Sequence, residues 1–122
     1  MKYIKYFEKL NKEPQVGDYV LININIDISL LAKKYEIMEF VNNTIGQISE
    51  IKEDTVDYWD NIDKGDVTVT YTNIPIGIRS WFGKKSNLTG LYYRQFEPNR
   101  IVAFAKTKEE LETILNAKKF NI

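Results

Sequence analysis

The sequence predicts an α+β fold: a small, strongly curved antiparallel sheet or barrel, with one helix inserted after the first strand and a second at the C-terminus. Three patterns carry this expectation. Val20, Ile22, Ile24 and Ile26 alternate with polar Asn23 and Asn25, the period of a strand with one buried face. Val67, Val69 and Tyr71 alternate in the same way with Thr68, Thr70 and Thr72. Thr107 and Glu110 form a T-x-x-E capping box ahead of Leu111, Ile114 and Leu115, which fall on one helical face.

In chain order, Tyr3, Tyr6, Phe7 and Leu10 fit either a short helix or an extended arm. Pro14 and the Val16-Gly17-Asp18 turn lead into a strand over Tyr19–Ile26. Ser29 is placed to cap a helix over Leu30–Val41 with Leu31, Tyr35 and Met38 on its inner face, ended by Asn42 and Asn43. Ile45–Ile51 reads as a strand whose three-residue apolar spacing predicts a bulge or strong twist near Gly46. Thr55–Asp60 and Val67–Thr72 are expected to pair as a hairpin around Asp63-Lys64-Gly65-Asp66. Pro75 ends the second arm, having no ladder donor. Residues 76–90 read as irregular, with one helical turn at Ile78–Phe82. Leu91–Phe96 and Ile101–Ala105 are short strands around Glu97-Pro98-Asn99, and Lys118 and Lys119 suit the C-terminal end of the last helix. No repeat, linker or low-complexity tract interrupts residues 1–122, so a single domain is expected.

The chain has 122 residues, balanced charges (17 Lys plus Arg, 17 Asp plus Glu), and no histidine or cysteine. Zinc sites built on Cys or His, iron–sulfur clusters, thiol nucleophiles, histidine bases and disulfides therefore lack their residues. A hydrophobic content of 43% is that of a folded chain. Charges break the apolar residues of the first nine positions, so no signal peptide is expected there, and no stretch reaches membrane-span length. The expected location is the cytoplasm. The abundance of Ile, Lys, Asn and Tyr over Arg points to AT-rich coding, as in low-GC bacteria and their viruses.

Val16-Gly17-Asp18-Tyr19-Val20, Asn43-Thr44-Ile45-Gly46-Gln47-Ile48 and Val67-Thr68-Val69-Thr70-Tyr71 together resemble the opening of an SH3-like or KOW-like small barrel. In such barrels a GD-x-V strand is followed by G-x-I and V-x-V-x-Y strands. Over its whole length the chain is similar to short proteins of phages and prophages of low-GC bacteria. That likeness is carried by Val16–Val20, Phe40–Ile48, Tyr71–Pro75 and Lys106–Phe120. The resemblance implies an accessory protein that binds, and by binding inhibits, a host protein or defence complex.

Asp54, Asp57, Asp60, Asp63 and Asp66 recur at every third position. An EF-hand register with Gly65 at its sixth position puts Ile62 and Lys64 at the third and fifth, where carboxylates or carbonyls are needed, so the acids read as a solvated hairpin. Glu50-Ile51-Lys52 with Asp27 has the composition of a magnesium nuclease site, and a small metal-dependent nuclease is one alternative. No phosphate-cradling glycine loop is present, the serines have no histidine base, and no cofactor is expected.

Residues 79–100 hold all three arginines and one of the two tryptophans. Arg79, Trp81, Phe82, Lys84, Lys85, Tyr92, Tyr93, Arg94 and Arg100 form the candidate partner-binding set, because Trp, Tyr and Arg concentrate at binding hot spots. The leading expectation is a non-catalytic binding module with a host protein as partner and no membrane contact. The alternative use of the same residues is KOW-like nucleic-acid binding by base stacking and phosphate contacts. The balanced charge conceals two poles: residues 50–66 carry seven acids against two lysines, a net of −5, and residues 79–100 carry five cations against Glu97, a net of +4.

Overall fold

The computed structural model describes residues 13–26, 33–84 and 90–120. The possible N-terminal helix or arm, Asp27, the Ser29 cap, Leu30, Leu31 and Lys85 lie outside the described residues. Strands β1 (Tyr19–Ile22), β2 (Gly46–Lys52), β5 (Asp66–Tyr71), β6 (Gly83–Lys84), β7 (Tyr92–Phe96) and β8 (Ile101–Ala105) form one sheet in the order β6-β7-β5-β2-β1-β8. All its recorded pairings are antiparallel. Helix α1 (Lys34–Asn42) follows β1, helix α2 (Lys108–Phe120) follows β8, and β3 (Thr55–Val56) pairs with β4 (Ile62–Asp63) in a separate ribbon. The class is α+β, as expected. Among the described residues no helix is long and apolar enough to cross a membrane.

The sheet is curled but not closed. In a flat sheet β7 and β8 would stand about 19 Å apart, four strand spacings. Their link is only Glu97 and the 3₁₀ turn Pro98–Arg100, which reaches roughly 10–13 Å. The sheet must bend to bring them within that reach, yet β6 and β8 do not pair, so it remains an open sheet rather than a barrel. Ile51 and Val67 face Ile101 and Phe104 across a cavity of about 580 Å³.

Strand β1 stops at Ile22 instead of Ile26 because other groups take its backbone. Asn23 N donates to the Arg100 carbonyl, while the Asn42 side chain accepts from Ile24 N and donates to Ile24 O. The strand is also buried on both faces. Val20 and Ile22 enter the main core with Ile48, Val69, Tyr71 and Phe104; Leu21 packs with Ala103, Ala105, Leu111 and Leu115 beneath α2. Leu111 and Leu115 thus do what the sequence predicts, and Thr107 Oγ1 donates to Glu110 Oε1 at 3.0 Å. The inner face of α1 is different from expectation: Ile37 and Val41 are buried, with Met38 and Phe40 partly so, while Tyr35 is exposed. The larger apolar set wins the buried face.

The bulge expected near Gly46 lies between Ile48 and Glu50 of the same strand. The expected hairpin is corrected. Val67–Thr72 does not pair with Thr55–Asp60: Asp66–Tyr71 lies between β2 and β7, and Thr55–Val56 turns back on Ile62–Asp63. The short apolar runs cannot by themselves choose between these partners, whereas the longer β2 offers β5 five register positions.

Phe40, Tyr71 and Phe82 meet edge to face, with centroids 5.7–5.9 Å apart. The Tyr71 hydroxyl is buried there without a hydrogen-bond partner among the described residues, and burial pushes its pKa up. Tyr71→Phe removes that uncompensated group and is expected to raise stability by about 1 kcal/mol, roughly 4 °C in a thermal melt. A lower melting temperature would mean that the hydroxyl has a partner.

Candidate functional site

The basic segment is organised by register. Opposite residues of neighbouring strands share a face. Arg94 stands opposite Val69 and Tyr92 opposite Tyr71, so both lie on the core-facing side; Tyr93, opposite Thr70 and Gly83, lies on the other side. The 3₁₀ segment Ile76–Trp81 runs along the same core-side rim, where Arg79, Trp81, Tyr92 and Arg94 come together.

Both arginines hold backbone. Arg79 Nε donates to the Ile74 carbonyl at 2.8 Å, and its guanidinium lies 5.7 Å from the Tyr92 ring centre. Arg94 Nη1 donates to the Trp81 carbonyl at 2.8 Å while its guanidinium stacks 3.9 Å from the Trp81 ring centre. Partial burial lowers the Arg94 pKa. Arg94 thus fastens the C-terminal end of the 3₁₀ segment to β7, while Arg79 ties the segment back to the chain that leads into it and lies over Tyr92. Charge reversal at Arg79 or Arg94 is therefore expected to lower stability. Even Arg94→Lys is expected to cost about 1–2 kcal/mol, since an ammonium cannot both stack flat and donate in the ring plane. Chemical denaturation checks this, and an unchanged midpoint would show that the clamp is idle.

The remaining expected residues have different settings. Phe82 is a core residue, packed on Phe40, Tyr71 and Trp81. Lys84 is exposed on edge strand β6, opposite Tyr92. Arg100 lies on the β7–β8 link, and its carbonyl holds Asn23.

The acidic segment is not simply a solvated hairpin. Its ribbon carries Val56 opposite Ile62, both exposed, and at its tip Tyr58 and Trp59 are 89% and 78% exposed. The two tip rings meet edge to face with centroids 5.2 Å apart. Single exposed apolar residues are ordinary, but four on one small ribbon form a patch.

The aspartates build this turn. Asp57 Oδ1 accepts from Trp59 N at 2.8 Å and Asn61 N at 2.9 Å, and Asp57 Oδ2 accepts from Asn61 Nδ2 at 3.2 Å. Asp57 N donates to the Asn61 carbonyl, and Asp60 takes a left-handed backbone at φ 60°. At the root, Lys52 pairs with Asp63 at 3.1 Å and Gly65 N donates to Asp54 Oδ1 at 2.6 Å. Gly65 is required there, since a Cβ would collide with the Lys52 carbonyl and lie 2.7 Å from the Glu53 carbonyl carbon. The ribbon is thus held at both ends while its aromatic side chains stay free.

The Asn61 amide and the accompanying Trp59 and side-chain bonds hold the Asp57 carboxyl below the usual carboxylate range, whereas the Asp63 carboxylate raises the Lys52 pKa. A depressed folded-state pKa makes the Asp57 contribution fully present above the unfolded value, near 3.9, and lost as pH falls through the lower folded value. Acid titration followed by NMR is expected to move the Trp59 and Asn61 amide resonances with an inflection below that of an unstructured aspartate. An inflection at or above it would contradict the bonded turn.

The sequence signal for this site is a Tyr-Trp pair in a turn of aspartates, where no strand alternation assigns the rings to a core. Among the described residues, no three His, Cys, Asp or Glu side chains converge as a metal-ligating group. No known protein family, curated protein or solved structure matches the chain.

Proposed function

We propose that the chain is a non-catalytic binding module that captures a protein partner through its acidic aromatic ribbon. The observation that carries this reading is the Tyr58–Trp59 turn, whose rings are almost fully exposed while its backbone is fixed by Asp57. A preformed turn loses little entropy on docking, and Trp and Tyr are the side chains best able to serve as anchors. The surrounding acids favour a partner with a basic rim and repel phosphate backbones and anionic lipid. Arg79, Tyr92 and Arg94 form a second, cationic contact region.

The phage-like resemblance of the chain extends this reading to an accessory protein of a phage or other mobile element acting in the host cytoplasm, its capture of a host protein or defence complex being inhibitory. Kinship with SH3-like or KOW-like barrels belongs to the same proposal and rests on the motif residues of β1, β2 and β5. In the KOW-like nucleic-acid alternative Trp81 would stack on bases, but one face of its ring carries the Arg94 guanidinium. In the nuclease alternative Lys52 would serve a phosphate, but it is paired with Asp63.

Affinity capture from host lysate with the wild-type chain, Trp59→Ala and Arg79→Glu tests the proposal. Retention of one protein by wild type and its loss with Trp59→Ala are expected. Capture of that protein equally by Trp59→Ala would refute the ribbon as the contact, and recovery of nucleic acid that dissociates steeply with salt would favour the KOW-like alternative.

A further inference from the structure

We propose that the ribbon of one copy docks on the basic rim of a second, so that self-association covers the Tyr58–Trp59 tip when no other partner is present. This rests on the ribbon being a binding surface and adds what occupies it in the isolated protein.

The two patches are complementary in kind as well as in charge. The ribbon sets Tyr58, Trp59, Val56 and Ile62 among Glu53, Asp54, Asp57 and Asp60. On the rim, the 3₁₀ segment runs from Ile76, itself 79% exposed, to half-buried Trp81, which carries the Arg94 guanidinium, while Arg79 lies over half-buried Tyr92 and Lys84 stands opposite it. Each offers an apolar centre with a charged border, the arrangement of a specific interface.

The patches do not satisfy one another within a copy. The ribbon is rooted at the Lys52–Asp66 end of the β2–β5 pair, whereas Arg79 and Tyr92 lie towards the Tyr71 end, about 17 Å along the strand. The ion pairs among the described residues are Lys33–Glu36, Lys52–Asp63 and Lys106–Asp18, and none joins the acidic segment to the basic one. Among the described residues the two poles thus stand as a dipole and are not joined by internal salt bridges. The formal net charge of zero removes the general repulsion that would otherwise keep copies apart. Each copy offers both halves of the contact, so the interface is heterologous and propagates head to tail unless it closes into a ring.

Sedimentation velocity of the full chain tests this. At about 0.02 M salt the sedimentation coefficient is expected to rise with protein concentration, and at about 0.5 M salt to return to the monomer value. Trp59→Ala is expected to weaken association about 30-fold, and Arg79→Glu is expected to abolish it. Mixed together, these two variants should form a 1:1 dimer that grows no further, because one retains a ribbon and the other a rim. Lys84→Glu, altered only at an exposed side chain, takes the place of Arg79→Glu if that variant does not fold. A monomer at every concentration in low salt, association indifferent to salt, or variants that fail to complement would each overturn the inference. A monomeric wild type whose Trp59→Ala variant still loses partner capture would leave the proposed function standing. Association through the ribbon with partner capture unaffected by Trp59→Ala would remove that function and leave the self-contact.

Discussion

Trp59→Ala is expected to weaken partner binding by about 30-fold or more while moving the thermal midpoint by no more than about 2 °C. The two halves of this prediction have one cause. At 78% exposure the indole contributes little to the fold, and its recorded ring contact is with Tyr58, which is 89% exposed. The turn is held by Asp57 and Asn61 through backbone and carboxylate bonds that do not use the indole. The substitution therefore removes an anchor without removing a support. Titration calorimetry against the captured partner, beside a thermal melt, measures both. A large loss of stability with binding retained would make Trp59 a structural residue.

Gly46→Ala is expected to have the opposite profile, destabilising the chain by about 3 kcal/mol and lowering the melting temperature by roughly 10 °C. An added Cβ would overlap Val69 Cγ1 and lie 2.9 Å from Tyr71 Cε1 and 3.0 Å from the Thr70 carbonyl. Val69 is fully buried, and the Tyr71 ring is held between Phe40 and Phe82, so neither can withdraw. Strands β2 and β5 would have to separate at the Gln47–Thr70 end of their pairing. A loss below about 1 kcal/mol would show that the strand pair yields more readily than close packing permits.

Much of the architecture was legible in local pattern. The alternation of Val67, Val69 and Tyr71 marked β5, and Thr107 with Glu110 marked the start of α2. The four-residue apolar run Tyr19–Ile22 also carried a signal beyond alternation, since a strand covered on both faces needs no polar phase. What local pattern did not reveal was partnership. Nothing in Thr55–Asp60 distinguishes pairing with β5 from folding back on Ile62–Asp63, because that choice depends on β2 occupying β5 first.

The site divides in the same way. The grouping of Arg79, Trp81, Tyr92 and Arg94 is evident from composition, but the Arg94 bond to the Trp81 carbonyl depends on how the 3₁₀ segment lies against β7, and the Arg79 bond to the Ile74 carbonyl on how that segment turns. Phe82 could not be separated from its exposed neighbours until Tyr71 and Phe40 were placed beside it. Tyr58 and Trp59 are hard to single out in the sequence for the converse reason. A run of acids reads as solvated, and only the turn geometry shows that those acids present two rings to solvent instead of merely surrounding them.

The central claim is that the Trp59 indole leaves water when the partner binds. Trp81→Phe makes Trp59 the sole tryptophan, and its emission can be followed as the captured partner is added at a chain concentration too low for self-association. The expected result is a saturable blue shift, from the red emission of an exposed indole towards that of a buried one. Emission that stays red while binding goes to completion would contradict the account.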